Sequence, residues 1–135
     1  MTDCKPMATP MVTNLKKLLD AVTGSDPVDP TQYRQLIGSL LYLVHTRPDI
    51  CYAVSALSQF MCSSKHIHWI AAKHILRYLK GTQDYGLRYT SCGGVLLHGF
   101  SDFDWAGSVQ DQKSSSRFCF STGFTMVSWS SSKQG

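Results

Sequence analysis

The sequence contains no glutamate, so all nine of its acidic residues are aspartates. A catalytic site with two divalent metal ions needs several carboxylates that converge from different elements, and this shortage argues against a complete site of that kind. No run of about 18 uncharged apolar residues is present, which argues against a membrane-spanning helix. The N-terminus lacks the apolar stretch of a secretory signal, so an intracellular, cytoplasmic location is the default expectation.

The cysteines are few and scattered. Their number is odd and no two have the Cys-x-x-Cys spacing, which argues against a disulfide framework and against a zinc site. We predict that they behave as small packing residues. They are Cys4, Cys51, Cys62, Cys92 and Cys119.

The composition is that of a globular chain with one domain or two small subdomains, because 43% of the 135 residues are hydrophobic and 16% are charged. The formal net charge of +4 is unevenly distributed. Up to Thr90, ten Lys or Arg residues stand against six Asp, and beyond it the numbers are three and three. A weakly basic surface suits phosphate, although most mildly basic domains bind no nucleic acid.

Proline placement divides the first third of the chain. Four of the five prolines lie within residues 1–30, so residues 1–29 are predicted to be an extended linker in which a short helix at 14–22 is compatible with the pattern. Asp29 followed by Pro30 is a strong helix start, with Asp as the N-cap and Pro at the first helical position.

Apolar residues at helical spacing predict a three-helix bundle over residues 30–82. The first helix runs to Val44, and the second starts at Thr46-Arg47-Pro48-Asp49 and reaches Met61. The third helix follows the cap candidates Ser63-Ser64 and is closed by Gly81 at a C′ position. The predicted apolar stripes are Tyr33, Leu36, Ile37, Leu40, Leu41 and Val44; Ile50, Ala53, Val54, Leu57, Phe60 and Met61; and Ile67, Ile70, Ala71, His74, Ile75, Tyr78 and Leu79.

Residues 83–135 have a different pattern, with short β-rich runs between Gly and Ser clusters. We predict strands at 85–89, 95–105, 118–120 and 125–130, which would form an antiparallel meander. A sheet of this size needs cover on one face, and this part of the sequence offers no helix to provide it. The fold class is therefore α+β, a three-helix bundle followed by an incomplete antiparallel sheet.

Two aspartates in the longest predicted strand form a candidate metal site. Asp102 and Asp104 are two positions apart, so their side chains point to the same face of the strand. Carboxylate oxygens are suitable ligands for hard divalent cations. The alternative is that both are ordinary exposed residues on a solvent-facing strand.

Several ordered sequence blocks resemble one family. They are YRQLIGSLLYL at 33–43, TRPDI at 46–50, ILRYLKGT at 75–82, DWAG at 104–107 and VSWSS at 127–131. Together they resemble the Pol polyprotein of Ty1/copia-type retrotransposons of plants, in the part where the thumb of the reverse transcriptase is followed by the start of RNase H. The resemblance covers nearly the whole chain.

The resemblance implies a role for each part of the chain. The helical part would correspond to the thumb, which grips the template–primer duplex, and the sheet to RNase H-like strands. RNase H uses Mg²⁺ to cut RNA in an RNA–DNA hybrid; Asp102 matches the metal ligand on its first strand, and Asp104 belongs to the same signature. Arg117 stands where the family usually has Gly. The family's other acidic ligands have no counterpart here, so we expect a truncated fragment with no bound cofactor and no independent catalysis.

The helical part offers cations for a nucleic-acid partner. Lys73, Arg77 and Lys80 fall at i, i+4 and i+7 on one side of the third helix, and Arg47 could extend this face. We expect weak, sequence-independent binding to the phosphates of a duplex or an RNA–DNA hybrid. An ordinary solvated helix face is the alternative for these cations. For the chain as a whole, the alternative is a repurposed interaction protein whose helical bundle binds a protein or a nucleic acid.

Overall fold

The computed structural model describes residues 4–12, 26–90, 96–104, 114–123 and 125–133. The chain divides into two compact units, Met1–Tyr85 and Gly86–Gly135. The first unit is helical and the second is a β-sheet. The short helix considered at 14–22, the linker residues 1–3, 13 and 23–25, Cys92 and the ends of the predicted strand 95–105 lie outside the described residues.

The first helix, α1, spans Pro30–Val44 and begins where the sequence predicts. The side chain of Asp29 accepts a hydrogen bond of 2.9 Å from the Thr31 amide, and Pro30 needs no amide partner at the first helical position. On the inner face Tyr33, Ile37 and Leu40 are buried.

The second helical segment is shorter than predicted. It consists of a 3₁₀ turn, Pro48–Ile50, and the helix α2, Cys51–Ser58. After Ser58 the amides of Phe60 and Met61 bond three residues back, to the carbonyls of Leu57 and Ser58, which is a tighter turn than an α-helix allows. The apolar spacing continued to Met61, but the backbone had already left the helix.

The third helix, α3, spans His66–Gly81, and its cap differs from the prediction. Lys65 is the N-cap residue, and its amide donates to Nδ1 of His68 over 3.0 Å. Ser64, predicted as a cap, is buried, and its hydroxyl lies 3.3 Å from the Val28 carbonyl. Gly81 is the last residue of α3 and not a C′ glycine.

The core of the helical unit lies between the three helices. Tyr33 is fully buried, and its hydroxyl donates to the Leu57 carbonyl over 2.8 Å, which links α1 to α2. Of the predicted stripe residues, Ile70 and Leu41 are exposed. The buried apolar residues are Tyr33, Ile37, Leu40, Ile50, Ala53, Val54, Leu57, Ala71, Ala72, Ile75 and Tyr78.

A segment without helix or strand, residues 4–12, lies along α3; we call it the strap. Its amide at Met7 donates to the Arg77 carbonyl over 3.3 Å, and a ring nitrogen of His74 lies 2.9 Å from the Thr9 carbonyl. Met7 and Met11 pack against the core. At Gly81 a Cβ would lie 2.9 Å from Cβ of Pro6, so the close approach of the strap requires glycine there.

The second unit contains a three-stranded antiparallel sheet of order β1-β2-β3. The strands are β1, Leu97–Asp104; β2, Ser115–Thr122; and β3, Thr125–Lys133. In the register Asp102 lies opposite Arg117, and Gly99 lies opposite Phe120. Gly123 takes a φ of 64° in the turn between β2 and β3, a conformation that favours glycine.

The predicted strand at 85–89 is wrong. These residues are described but form no ladder with the sheet. Side chains make the contacts instead: the hydroxyl of Tyr89 donates to the Met126 carbonyl over 3.0 Å, and that of Thr125 donates to the Arg88 carbonyl. Alternating apolar residues mark a segment that reaches a sheet, but they do not guarantee backbone pairing.

Within the part of the chain that the structure describes, none of the helices combines the length and apolar character needed to cross a bilayer.

Candidate nucleic-acid interface and the Asp102 position

Helix α3 carries three of the four predicted cations, in two different environments. Lys73 is exposed, with its Nζ 5.2 Å from the centre of the Trp69 ring one turn away. Arg77 and Lys80 are half-buried at the strap. Arg77 Nε donates to the Lys5 carbonyl over 2.7 Å, and Lys80 Nζ donates to the Cys4 carbonyl over 3.0 Å.

The charge of this region has a single sign. The stretch from Lys65 to the end of α3 at Gly81 contains four cationic and no acidic residues, and the strap adds Lys5. A helix with such a composition attracts polyanions over a distance set by the ionic strength.

Arg47 does not lie on this exposed face, which corrects its assignment to the predicted duplex contact. Only 9% of the residue is exposed. Its guanidinium makes a two-pronged bond to Asp49, from Nε to Oδ1 over 3.0 Å and from Nη2 to Oδ2 over 2.7 Å. Nη1 and Nη2 also donate to the carbonyl and hydroxyl of Thr82, over 2.9 and 2.7 Å. These donors hold the loop after α1 against the end of α3.

Tyr78 completes this cluster, which we call the Arg47 clamp: Arg47, Asp49, Tyr78 and Thr82. The Tyr78 hydroxyl donates to Oδ2 of Asp49 over 2.7 Å. Burial alone would raise the pKa of Asp49, but hydrogen bonds from Arg47 and Tyr78 and the attraction of the guanidinium outweigh it, so the pKa is lowered. The hydrogen bond to Asp49 raises the pKa of Arg47, and burial raises that of Tyr78.

The clamp was missed by sequence reasoning, although one signal was available. Arg and Asp two residues apart around a proline can form a local fork, and Arg47-Pro48-Asp49 is such a sequence. The partners Tyr78 and Thr82 lie about thirty residues further along the chain, so no local sequence pattern predicts these contacts.

Asp102 lies on β1 and is paired with a cation of the protein itself. Arg117 Nη1 donates to Oδ2 of Asp102 over 2.9 Å across the β1–β2 ladder. The Asp102 side chain is 66% exposed, so solvent screens the pair and it contributes little to stability.

The described side chains around Asp102 do not by themselves fit a magnesium site. Asp102 is the sole carboxylate of the sheet unit whose side chain the structure describes, and Mg²⁺ requires several oxygen ligands. The guanidinium of Arg117 lies where a cation would meet Oδ2. Among the described side chains, no three His, Cys, Asp or Glu groups come together in a way that could hold a metal ion. The side chain of Asp104 lies outside this description.

Comparison with known proteins identifies long relatives. The chain is 46% identical over 134 residues to a retrovirus-related Pol polyprotein from transposon RE2 and 45% identical to that from transposon RE1, both of Arabidopsis thaliana. Each match covers 99% of this chain and 9% of the relative. The chain thus spans about a tenth of these polyproteins.

A relative of similar length also exists. The secreted RxLR effector protein 161 of Plasmopara viticola is 47% identical over 103 residues, which are 76% of this chain and 72% of the relative. No family model matches the chain. No solved structure matches it either.

Proposed function

The chain belongs to the family of retrovirus-related Pol polyproteins of copia-type transposons, and from this premise we propose that its helical unit holds a nucleic-acid duplex for RNA-templated DNA synthesis. In this proposal the helical unit is the thumb of the reverse transcriptase, and the sheet consists of the first strands of an RNase H-like domain. The activity of the whole polyprotein would require regions beyond these 135 residues.

The observation that carries the proposal is the one-sided charge of α3. The stretch from Lys65 to Gly81 contains four cationic residues and no acidic residue, and Lys73 is exposed. Lysine and arginine contacts to phosphate oxygens position a duplex without reading its sequence. This is what a template–primer grip requires, because it must accept every sequence that is copied.

Binding of a labelled RNA–DNA hybrid, followed by fluorescence anisotropy over a range of salt, tests the proposal. With three phosphate contacts, from Lys73, Arg77 and Lys80, the slope of log K against log salt is expected to be about −2 to −3. Lys73→Gln is expected to make this slope less steep by about one unit, and to do so equally for hybrids of different sequence. Arg34→Gln is the matched control, because Arg34 is exposed on α1, where its Nε donates to the Met61 carbonyl.

The proposal fails if the wild-type chain shows no affinity for the hybrid at low salt, or if Arg34→Gln weakens binding as much as Lys73→Gln. Strong dependence on the hybrid sequence would also contradict it, since phosphate contacts carry no base information.

We further propose that these residues alone do not cleave the hybrid. The chain has no glutamate, and the carboxylate of Asp102 is paired with Arg117. Incubation of the labelled hybrid with the chain and Mg²⁺ is expected to leave the RNA intact. Cleavage that Asp102→Asn abolishes would overturn this part of the proposal.

A second candidate function is a stand-alone interaction protein that uses the helical bundle to bind a protein or nucleic-acid partner. It is favoured by the effector protein of Plasmopara viticola, of which the chain covers 72%, since a relative of this length has no room for a whole polymerase. Exposed apolar residues at the end of α1, Leu41, Tyr42 and Leu43, offer such a surface. Substitution of Tyr42 by Ser would weaken binding to a protein partner and leave hybrid affinity unchanged.

A further inference from the structure

The strap occupies donors that a duplex would need. Two of the three cations assigned to phosphate, Arg77 and Lys80, donate to the carbonyls of Lys5 and Cys4. His74, on the same side of α3, lies 2.9 Å from the Thr9 carbonyl. The strap therefore lies on the side of α3 that the proposed function assigns to nucleic acid.

The chemistry of the strap resembles that of the proposed ligand. The strap's backbone carbonyls at Lys5 and Cys4 accept hydrogen bonds from Arg77 and Lys80, as phosphate oxygens would. A carbonyl is neutral, however, whereas each phosphate carries a full negative charge, and charge-assisted hydrogen bonds are the stronger ones. The strap is thus a weaker ligand for the same donors.

We propose that the strap is an autoinhibitory segment, which covers Arg77 and Lys80 until a duplex displaces it. This inference rests on the proposed function and adds a regulatory step to it. In the docked state Lys73 alone of the three cations is exposed. Binding of the duplex exchanges the strap carbonyls for phosphates, so the apparent affinity is the intrinsic affinity reduced by the docking equilibrium.

The attachment of the strap suits displacement. A backbone–backbone hydrogen bond joins it to α3, from the Met7 amide to the Arg77 carbonyl. The other polar contacts come from side chains that can turn to a new acceptor. Two methionines, Met7 and Met11, supply its packing against the core, and methionine adapts readily to a changed surface.

The test compares the full-length chain with a released variant, Met7→Ser with Met11→Ser, in hybrid binding by anisotropy. Val12→Ser is the matched control, because Val12 belongs to the strap but is exposed. Circular dichroism establishes that α1 to α3 remain folded in each variant.

We expect the released variant to bind the hybrid about tenfold more tightly than the wild type, as for a strap docked about nine-tenths of the time. The salt slope should stay unchanged, because Arg77 and Lys80 reach phosphate in both proteins once the duplex is bound. Arg77→Gln with Lys80→Gln should make the slope less steep by about two units, in the wild type and in the released variant alike. In the wild type, the hybrid should speed hydrogen exchange at the Met7 amide.

Equal affinity of the wild type and the released variant would overturn the inference and leave the proposed function standing. A tighter released variant with a steeper salt slope would also overturn it, since an unfolded strap with Lys5 would then be adding contacts of its own. Loss of all hybrid binding, in every variant and at low salt, would overturn both proposals.

A second variant reaches the same state from the α3 side. Gly81→Ala would place a Cβ 2.9 Å from Cβ of Pro6, which pushes the strap away without removing a core side chain. This variant should show the same gain in affinity as the released variant. Wild-type affinity in Gly81→Ala, together with fast exchange at the Met7 amide, would contradict autoinhibition.

Discussion

The helical unit and the sheet unit bury their apolar side chains to very different extents. All eleven residues of the buried apolar core belong to the helical unit. Within the described part of the sheet unit, Ser115 is the one buried residue. Large apolar side chains are exposed there instead: Leu97, Phe100, Phe118, Phe120 and Val127. Three helices can enclose a core between them, whereas three strands need a further layer on one face.

The same contrast separates the two ion pairs. Arg47 and Asp49 pair within the packed helical unit, where Thr82 and Tyr78 satisfy further donors and acceptors. Asp102 and Arg117 pair across two strands with most of the Asp102 carboxylate in water. The two ion pairs have similar distances but contribute differently to stability, because solvent screens the pair of Asp102 and Arg117.

The largest expected effect is in the helical core. Leu57→Ala should lower the free energy of unfolding of the helical unit by about 4 kcal/mol, because Leu57 is fully buried and the cavity cannot collapse completely. Phe118→Ala, at an exposed position of β2, should cost less than about 1 kcal/mol. Urea unfolding with peptide-resolved hydrogen exchange measures the stability of each unit separately. Similar losses of unfolding free energy in the two variants would contradict the difference between the units.

The Arg47 clamp should have the next largest effect. Arg47→Met keeps most of the side-chain length but removes the donors to Asp49 and Thr82. Because the Asp49 side chain is 32% exposed, the expected cost is about 2 kcal/mol, less than for a fully buried pair. Arg34→Met, on the exposed face of α1, serves as the control and should cost less than about 1 kcal/mol. Equal costs for the two substitutions, measured by urea unfolding, would show that the clamp adds nothing specific.

The clamp also predicts a pH dependence. The folded pKa of Asp49 is lowered, so its contribution to stability is fully present above the ordinary aspartate pKa of about 4. That contribution is lost as the pH falls through the lowered folded value. Asp49→Asn should therefore make the free energy of unfolding depend less on pH below about 4. An unchanged pH dependence in Asp49→Asn would assign that dependence to other carboxylates.

Tyr33→Phe should have a smaller effect, of about 1–2 kcal/mol. The substitution keeps the ring and removes the hydroxyl that donates to the Leu57 carbonyl, which leaves a buried acceptor with one partner fewer. Burial raises the pKa of Tyr33, so its phenol should remain un-ionised in alkaline solutions that titrate exposed tyrosines. Ultraviolet titration of the wild type against Tyr33→Phe measures this, and identical curves in the ordinary tyrosine range would support it.

The smallest effect is expected at the sheet. A double-mutant cycle of Asp102→Asn and Arg117→Gln should give a coupling of about 0–1 kcal/mol that fades with added salt. A salt-independent coupling above about 2 kcal/mol would mean that the pair is shielded from solvent, and the contrast with the Arg47 clamp would disappear.

Local patterns in the sequence determined the helical unit to a large extent. The Asp29-Pro30 start, the inner face of α1 and most of the stripe of α3 lie where the spacing predicts, because caps and helical periodicity depend on residues within a few positions of each other. The predicted end of α2 and the predicted cap of α3 were both wrong. The helix α2 ends at Ser58 although apolar residues continue at helical spacing, and the N-terminus of α3 is capped by the side chain of His68, which lies within the helix itself.

Only the tertiary structure decided which cations face solvent and which segments pair. Arg47 meets Thr82 thirty-five positions away, and Lys80 meets Cys4 seventy-six positions away. Contacts over such separations depend on how the helices pack and where the chain returns, and no local spacing records them. The amino-acid sequence determined that α3 is a basic helix; the packing of the strap determined that two of its cations are bound to the protein's own backbone.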